Sequence, residues 1–332
     1  MRKPRTTRPA LLLSALVLIA GSVQSQEPAY PHGAGPTVLI DTAHHNGDPF
    51  EKNAARLEED GYRVRELKQP FDREALVDVQ ITLIILPLAS RNALPSPGPP
   101  TQAEVAAAWR RPTPSAFSEA EITILREWVG EGGALFLVLD HFPMSGAVQE
   151  LGTAFGIEIS NGFAFDGARL SEQDVAQVMA QGAHCTPQPS PQRPGLERLC
   201  SSGNLVFERA EGGVADDPIT NGRTPGQRIE SFGFFTGSSF RLPPEGRSLL
   251  TFGPSFVSLL PEVAWQFSDK TPREGIGGWS AGGVLRVERG RVAIFGEDGI
   301  LAEPLAWAER HPELRNPQLF MNALHWLSGL LD

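Results

Sequence analysis

Apolar residues in the first half of this chain fall into short unbroken runs, separated by stretches of helical period. Thr37-Val-Leu-Ile-Asp41, Ile81-Thr-Leu-Ile-Ile-Leu86 and Ala134-Leu-Phe-Leu-Val-Leu-Asp140 are continuous rather than alternating, the pattern of strands covered on both faces. Tyr62 to Leu67 alternates as a further strand. Between the first two strands, Asp48 can cap a helix with Pro49 at its first position and Glu51 completing a capping box; Gly61 stops it after Asp60. A short helix is expected near Arg73–Val77. Ser118 caps another, with Glu121 in the boxed position and Gly132-Gly133 as its stop. This β-α-β-α-β-α-β order predicts a doubly wound, mostly parallel α/β sheet with right-handed crossovers. Later, Val284–Glu288 and Arg291–Phe295 flank a turn at Arg289-Gly290 and read as a β-hairpin. Asn316-Pro317 opens a final helix over Leu319–Leu331, whose Leu319, Phe320, Ala323, Leu324, Trp326, Leu327 and Leu330 form a broad apolar stripe. Residues 36–331 are expected to form one α/β domain with loop insertions at 88–117 and 182–203, the first a lid over the ligand face or plain surface decoration.

Ahead of the first strand, Arg2, Lys3, Arg5 and Arg8 precede an apolar run of 12 residues, Ala10 to Gly21. A bilayer span needs about 20. Val23 and Ser25 offer side chains suited to a cleavage site after Ser25. Residues 1–25 are therefore expected to be a cleaved Sec-type signal peptide, leaving a periplasmic or secreted protein with no membrane span. The chain carries 29 basic and 39 acidic side chains, a net charge of −10, and loss of the leader makes it more acidic still. Nucleic acid is excluded as a partner on this balance, because phosphate binding needs clustered Lys and Arg. Its 2 cysteines, Cys185 and Cys200, are expected to pair in an oxidising compartment. Such a bond closes a proline-rich loop and contributes about 3 kcal/mol.

Ligands of open parallel sheets bind beyond the C-terminal ends of the strands, so polar residues there are the candidates. The first strand runs into Asp41, His44, His45 and Asn46, the fourth into Asp140 and His141, and the strand after the hairpin into Glu297 and Asp298. These carboxylates and imidazoles could bind a ligand or a divalent metal, act as an acid–base pair, or simply cap loops. Ser145 lies near His141, but there is no Gly-x-Ser-x-Gly elbow around it.

The order of motifs resembles a family. Val38-Leu-Ile-Asp-Thr-Ala-His-His-Asn46 followed by Gly61-Tyr62-Arg-Val64, then Phe117-Ser-Glu-Ala-Glu121 through Gly132-Gly133-Ala-Leu-Phe, then Asp217-Pro-Ile-Thr-Asn-Gly222, and finally Gly290-Arg-Val-Ala-Ile-Phe-Gly296, look like GIFT-type domains of gliding-motility and intraflagellar-transport proteins. Those are similar to class I glutamine amidotransferases and the ThuA-like group. The resemblance implies a flavodoxin-like sheet. It does not carry glutaminase activity, because amidotransferases place a cysteine after the strand matching Ala134–Leu139, where this chain has Asp140-His141. The expected protein is thus an exported amidotransferase-like domain without glutaminase chemistry, binding a small-molecule or carbohydrate ligand, or an envelope protein, at the crevice. A hydrolase using Asp41, His44, Asp140 and Glu297, with or without a metal, and a structural envelope protein are the alternatives. No cofactor is required by the sequence beyond that optional divalent ion.

Overall fold

The continuous apolar runs become strands: β1 (Thr37–Asp41), β2 (Arg63–Leu67), β3 (Ile81–Ile85) and β4 (Ala134–Val138). A second half follows with β5 (Glu158–Ile159), β6 (Phe163–Asp166), β7 (Asn204–Glu208), β8 (Ser231–Phe235), β9 (Phe240–Arg241), β10 (Arg247–Thr251), β11 (Phe256–Leu259), β12 (Arg273–Gly275), β13 (Ser280–Val287) and β14 (Gly290–Phe295). This is a computed structural model, and it describes residues 27–44, 50–94, 101–168, 170, 204–301 and 314–332. The leader 1–25, His45, Asn46, the Asp48 cap, the Cys185–Cys200 pair and the 182–203 insertion lie outside the described residues.

Strands β2, β1, β3, β4 and β14 lie side by side in that order, all parallel. Counted among the parallel strands this is 2-1-3-4-5, the flavodoxin order. From β14 the sheet continues antiparallel through β13, β9 and β5, with β10 also pairing β13. Two smaller sheets, β12-β11-β6 and β7-β8, pack nearby.

Alternation within each parallel strand feeds two cores, one per face. Val38 and Ile40 of β1, Phe136 and Val138 of β4, and Ala293 and Phe295 of β14 join one; Leu39, Leu135, Leu137, Val292 and Ile294 join the other. Helices Phe50–Glu59 and Asn316–Leu327 cover the first face through Ala54, Leu57, Leu319, Phe320 and Leu324. Helix Glu119–Gly130 and the shorter Gln149–Ala154 cover the second through Leu125, Val129 and Leu151. Both faces are therefore dry, which is why these strands read as unbroken apolar runs.

Three sequence expectations need correction. Residues 73–78 form hydrogen-bonded turns rather than a helix: Asp72 Oδ1 takes the Ala75 N–H at 2.7 Å, and Asp78 turns left-handed at φ 59°, so the backbone is captured locally before a helix can propagate. The hairpin turn is Glu288-Arg289, because Val287 pairs Gly290 in register. Gly290 is needed for close approach instead, since a Cβ there would stand 2.0 Å from Val129 O. The final helix ends at Leu327, with Gly329 left-handed at φ 81° beyond it.

Candidate functional site

Because β1, β3, β4 and β14 are parallel and in register, their C-terminal ends share one rim. Asp41, Asp140 and Glu297 all stand on it, but their side chains separate into two groups with different chemistry.

At the end of β1, His44 is 9% exposed and lies between two carboxylates. Its Nδ1 is 3.0 Å from Asp41 Oδ2, and its Nε2 is 3.1 Å from Glu121 Oε1. The ring stacks on Phe71 (5.8 Å, 4°) and leans on Phe117 at 4.7 Å. Burial alone would lower this imidazole, yet the hydrogen bond and charge of Asp41, with those of Glu121, outweigh it and raise the pKa. Burial works against Glu121 as well; the N–H and hydroxyl of Ser118, the N–H of Phe71 and the His44 charge pull it below the usual carboxylate range. Glu121 thus does two things at once. Its Oε2 closes the capping box at Ser118, and its Oε1 receives Phe71 N–H at 2.9 Å. This group fastens the end of β1 to the start of helix Glu119–Gly130. All three members are buried, and His44 is paired on both ring nitrogens, so Asp41 and His44 tie these elements together.

The second group lies where β4 and β14 end. Asp140, Glu297 and Asp298 can each offer an oxygen such that these atoms all lie within 4.8 Å of one another. Glu297, 2% exposed, caps the turn Asp298–Ile300, accepting Gly299 N–H at 2.9 Å and Phe235 N–H at 2.6 Å. Asp140 accepts His141 N–H at 2.7 Å. Burial pushes Asp140 up to about 7. Burial, and then the charges of Asp140 and Asp298, push Glu297 well above the usual range. Burial likewise takes His141 down to about 4, so that it is neutral.

Aromatic residues wall this group. The His141 ring stacks on Phe163 at 4.4 Å and meets Trp265 edge-on at 4.7 Å, with Trp109 at 6.0 Å. Trp265 reaches on to Phe235 at 6.4 Å. Trp265 and Phe235 are half-buried, as are Asp140 and Asp298. Trp265 holds φ 63°, a conformation a bulky side chain adopts only under constraint. The constraint is visible. Ala264 N–H donates to Trp109 O, Arg110 bridges Val263, Arg111 N–H donates to Glu262 O, and the Arg111 guanidinium bonds Pro261 O and Asn161 O. The described part of the 88–117 insertion is therefore a brace for the Trp265 loop.

Sequence reasoning missed Trp265, Phe163 and Phe235, and saw Glu121 only as a cap. Trp265 lies in an irregular stretch, and Phe163 and Phe235 stand at the ends of short strands, so no periodic signal could place them beside Asp140. Ser145 spends its hydroxyl on Asn161 Oδ1 at 3.2 Å. Asp217 caps helix Pro218–Asn221 through Ile219 N–H and Thr220, a structural role for that motif. Among the described residues no helix is long and apolar enough to cross a membrane.

No protein-family profile and no curated protein matches this sequence. Among solved structures, the "mmIFT52 N-terminal domain" is similar at 12% identity and a TM-score of 0.53, covering 88% of this chain and 97% of that one. Cytoplasmic protein STM1381 from Salmonella typhimurium LT2 aligns at 10% identity and a TM-score of 0.45, over 88% of this chain and 99% of that one. A ThuA-like protein from Bacteroides uniformis aligns at 11% identity and a TM-score of 0.43, over 90% and 94%. Only the first is close enough in geometry to argue from, and at such identity it speaks to fold alone. The chain is thus a flavodoxin-like α/β protein built on a 2-1-3-4-5 parallel sheet, similar in fold to that domain.

Proposed function

We propose that this is an exported, amidotransferase-like binding protein without glutaminase chemistry, which takes a carbohydrate or other envelope-derived ligand where β4 and β14 end. One observation carries the reading: three carboxylates converge beside a half-buried tryptophan. Carboxylates accept strong hydrogen bonds from hydroxyl groups, and an indole face offers flat apolar area to the C–H face of a sugar ring. A few convergent polar groups set against an aromatic wall are the usual make-up of a small-ligand site. Among the described residues this rim carries no cysteine to serve glutaminase chemistry. Asp140-His141 stand where the thiol belongs, and the cysteines are at 185 and 200.

Thermal shift and calorimetry on the mature protein, against a panel of glycan and peptidoglycan fragments, test the reading. A ligand at a hundredfold excess over its Kd stabilises by about 2.7 kcal/mol. Trp265→Ala and Asp140→Asn are each expected to weaken that ligand at least tenfold, and Glu131→Gln, far from this rim at the end of its helix, to leave it unchanged. A panel without any response, or a response indifferent to both rim variants, defeats the proposal. Release of ammonia from glutamine defeats its second clause.

A further inference from the structure

We infer that the cleft between the β9–β10 turn and the turn leading into β13 binds a carboxylate group, carried by an acidic sugar or by a peptide. The inference goes beyond the rim reading and does not rest on it, since neither Asp140, Glu297 nor Trp265 lines this cleft.

Leu242 and Pro243 line it from the first turn, and Gly278 and Trp279 from the second. Its volume is about 460 Å³, within the range of small-ligand sites. A Cβ at Gly278 would meet nothing within 4 Å, so a ligand can approach past that turn. The two lining hydroxyls are already used: Ser280 Oγ donates to Ser248 Oγ at 2.9 Å, and Ser248 Oγ donates to Leu250 O at 3.0 Å. Recognition therefore falls to Arg241.

The Arg241 guanidinium lies over the Trp279 indole, with Cζ 4.2 Å from the ring centroid. Trp279 is only 4% exposed, so the platform is fixed and the cation–π contact holds the guanidinium in place before any ligand arrives. Nη1 pairs with Glu158 Oε2 at 3.1 Å, across the β5–β9 ladder. Nε and Nη2 have no acceptor among the described residues. Their parallel N–H groups form the edge that grips a carboxylate through two bonds at once. Glu158 is exposed, and an exposed ion pair is a weak competitor. One fork beside Glu158 suits a planar single charge. A phosphate would bring its second charge against Glu158 with no second cation to meet it.

The test is calorimetric titration of the mature protein with methyl glucuronide and with an N-acetylated alanine dipeptide. Each is run beside its neutral counterpart, methyl glucoside and the dipeptide amide, and inorganic phosphate is a fifth probe. Saturable binding of at least one carboxylate is expected, and the one that binds names the source. Arg241→Gln is expected to weaken it about tenfold, as loss of a charge-assisted bond does. Arg241→Lys should weaken it similarly, because an ammonium keeps the charge and loses the fork. Glu158→Gln should tighten it about threefold by removing the competing carboxylate. Both positions are exposed, so these variants fold. No saturable binding of either carboxylate, equal binding of the neutral counterparts, tighter binding of phosphate, or indifference to Arg241→Gln overturns the inference. Trp265→Ala separates the two sites: unchanged carboxylate binding keeps it in this cleft, and its loss moves the ligand to the rim and overturns the assignment.

Discussion

At the residue scale the most consequential side chain of the β1 end is Glu121, which completes a helix cap and also neutralises His44. Replacing His44 by Gln leaves two buried carboxylates facing each other without their cation, a loss of about 3 kcal/mol where a buried pair is broken on one side. The pH dependence has a definite sign. The raised His44 contributes fully below its ordinary value of 6.5 and loses that contribution as pH rises through its higher folded pKa. The lowered Glu121 contributes above its ordinary 4.5 and loses it as pH falls through its lower folded pKa. The gap in urea midpoint between wild type and His44→Gln should therefore be widest between about pH 4.5 and 6.5, and shrink on the alkaline side. A gap that stays constant from pH 5 to pH 9 would remove the ion-pair account.

At the scale of elements, two contacts decide how the sheet and its second-face helix meet. Ser118 accepts Glu121 N–H at the start of helix Glu119–Gly130, and Ser118→Ala should cost about 1 kcal/mol. At the far end of that helix, Gly290 opens β14 against the Val129 and Gly133 carbonyls, where a Cβ would stand 2.0 and 2.4 Å away. Neither obstacle is a flexible side-chain end, so Gly290→Ala must push the helix off the strand, at a cost of about 2 kcal/mol. Thermal unfolding of the two variants checks the order: Gly290→Ala should melt lower than Ser118→Ala. The capping box was legible from Ser118-x-x-Glu121 alone, since every partner lies within one turn. Gly290 was misread as a turn residue, because close approach to a distant carbonyl has no local signature.

At the scale of the whole molecule, one sheet carries two separate cores, and each should report independently on the same unfolding transition. Phe320 stacks on Phe136 at 5.2 Å on one face, and Leu125 is fully buried on the other. Phe320→Ala and Leu125→Ala should each cost about 3 kcal/mol, and the double variant should lose the sum within about 0.5 kcal/mol, because no partner is shared. Strong non-additivity in denaturant unfolding would contradict the two-core description. The unbroken apolar runs over β1, β3 and β4, and the stripe from Leu319 to Leu327, were enough to specify a parallel sheet with helices on it, because burial on both faces leaves its mark residue by residue along the chain. The positions of Asp41, Asp140 and Glu297 at strand ends were legible too, since strand ends can be read from where apolar runs stop. What no local pattern could decide was company: that His44 would pair with Glu121, far along the chain, while Asp140 and Glu297 would be brought together, with His141 beside Trp265. Those pairings depend on which strands become neighbours and on a braced loop with a left-handed tryptophan, and both arise only when segments remote in sequence close around a common core.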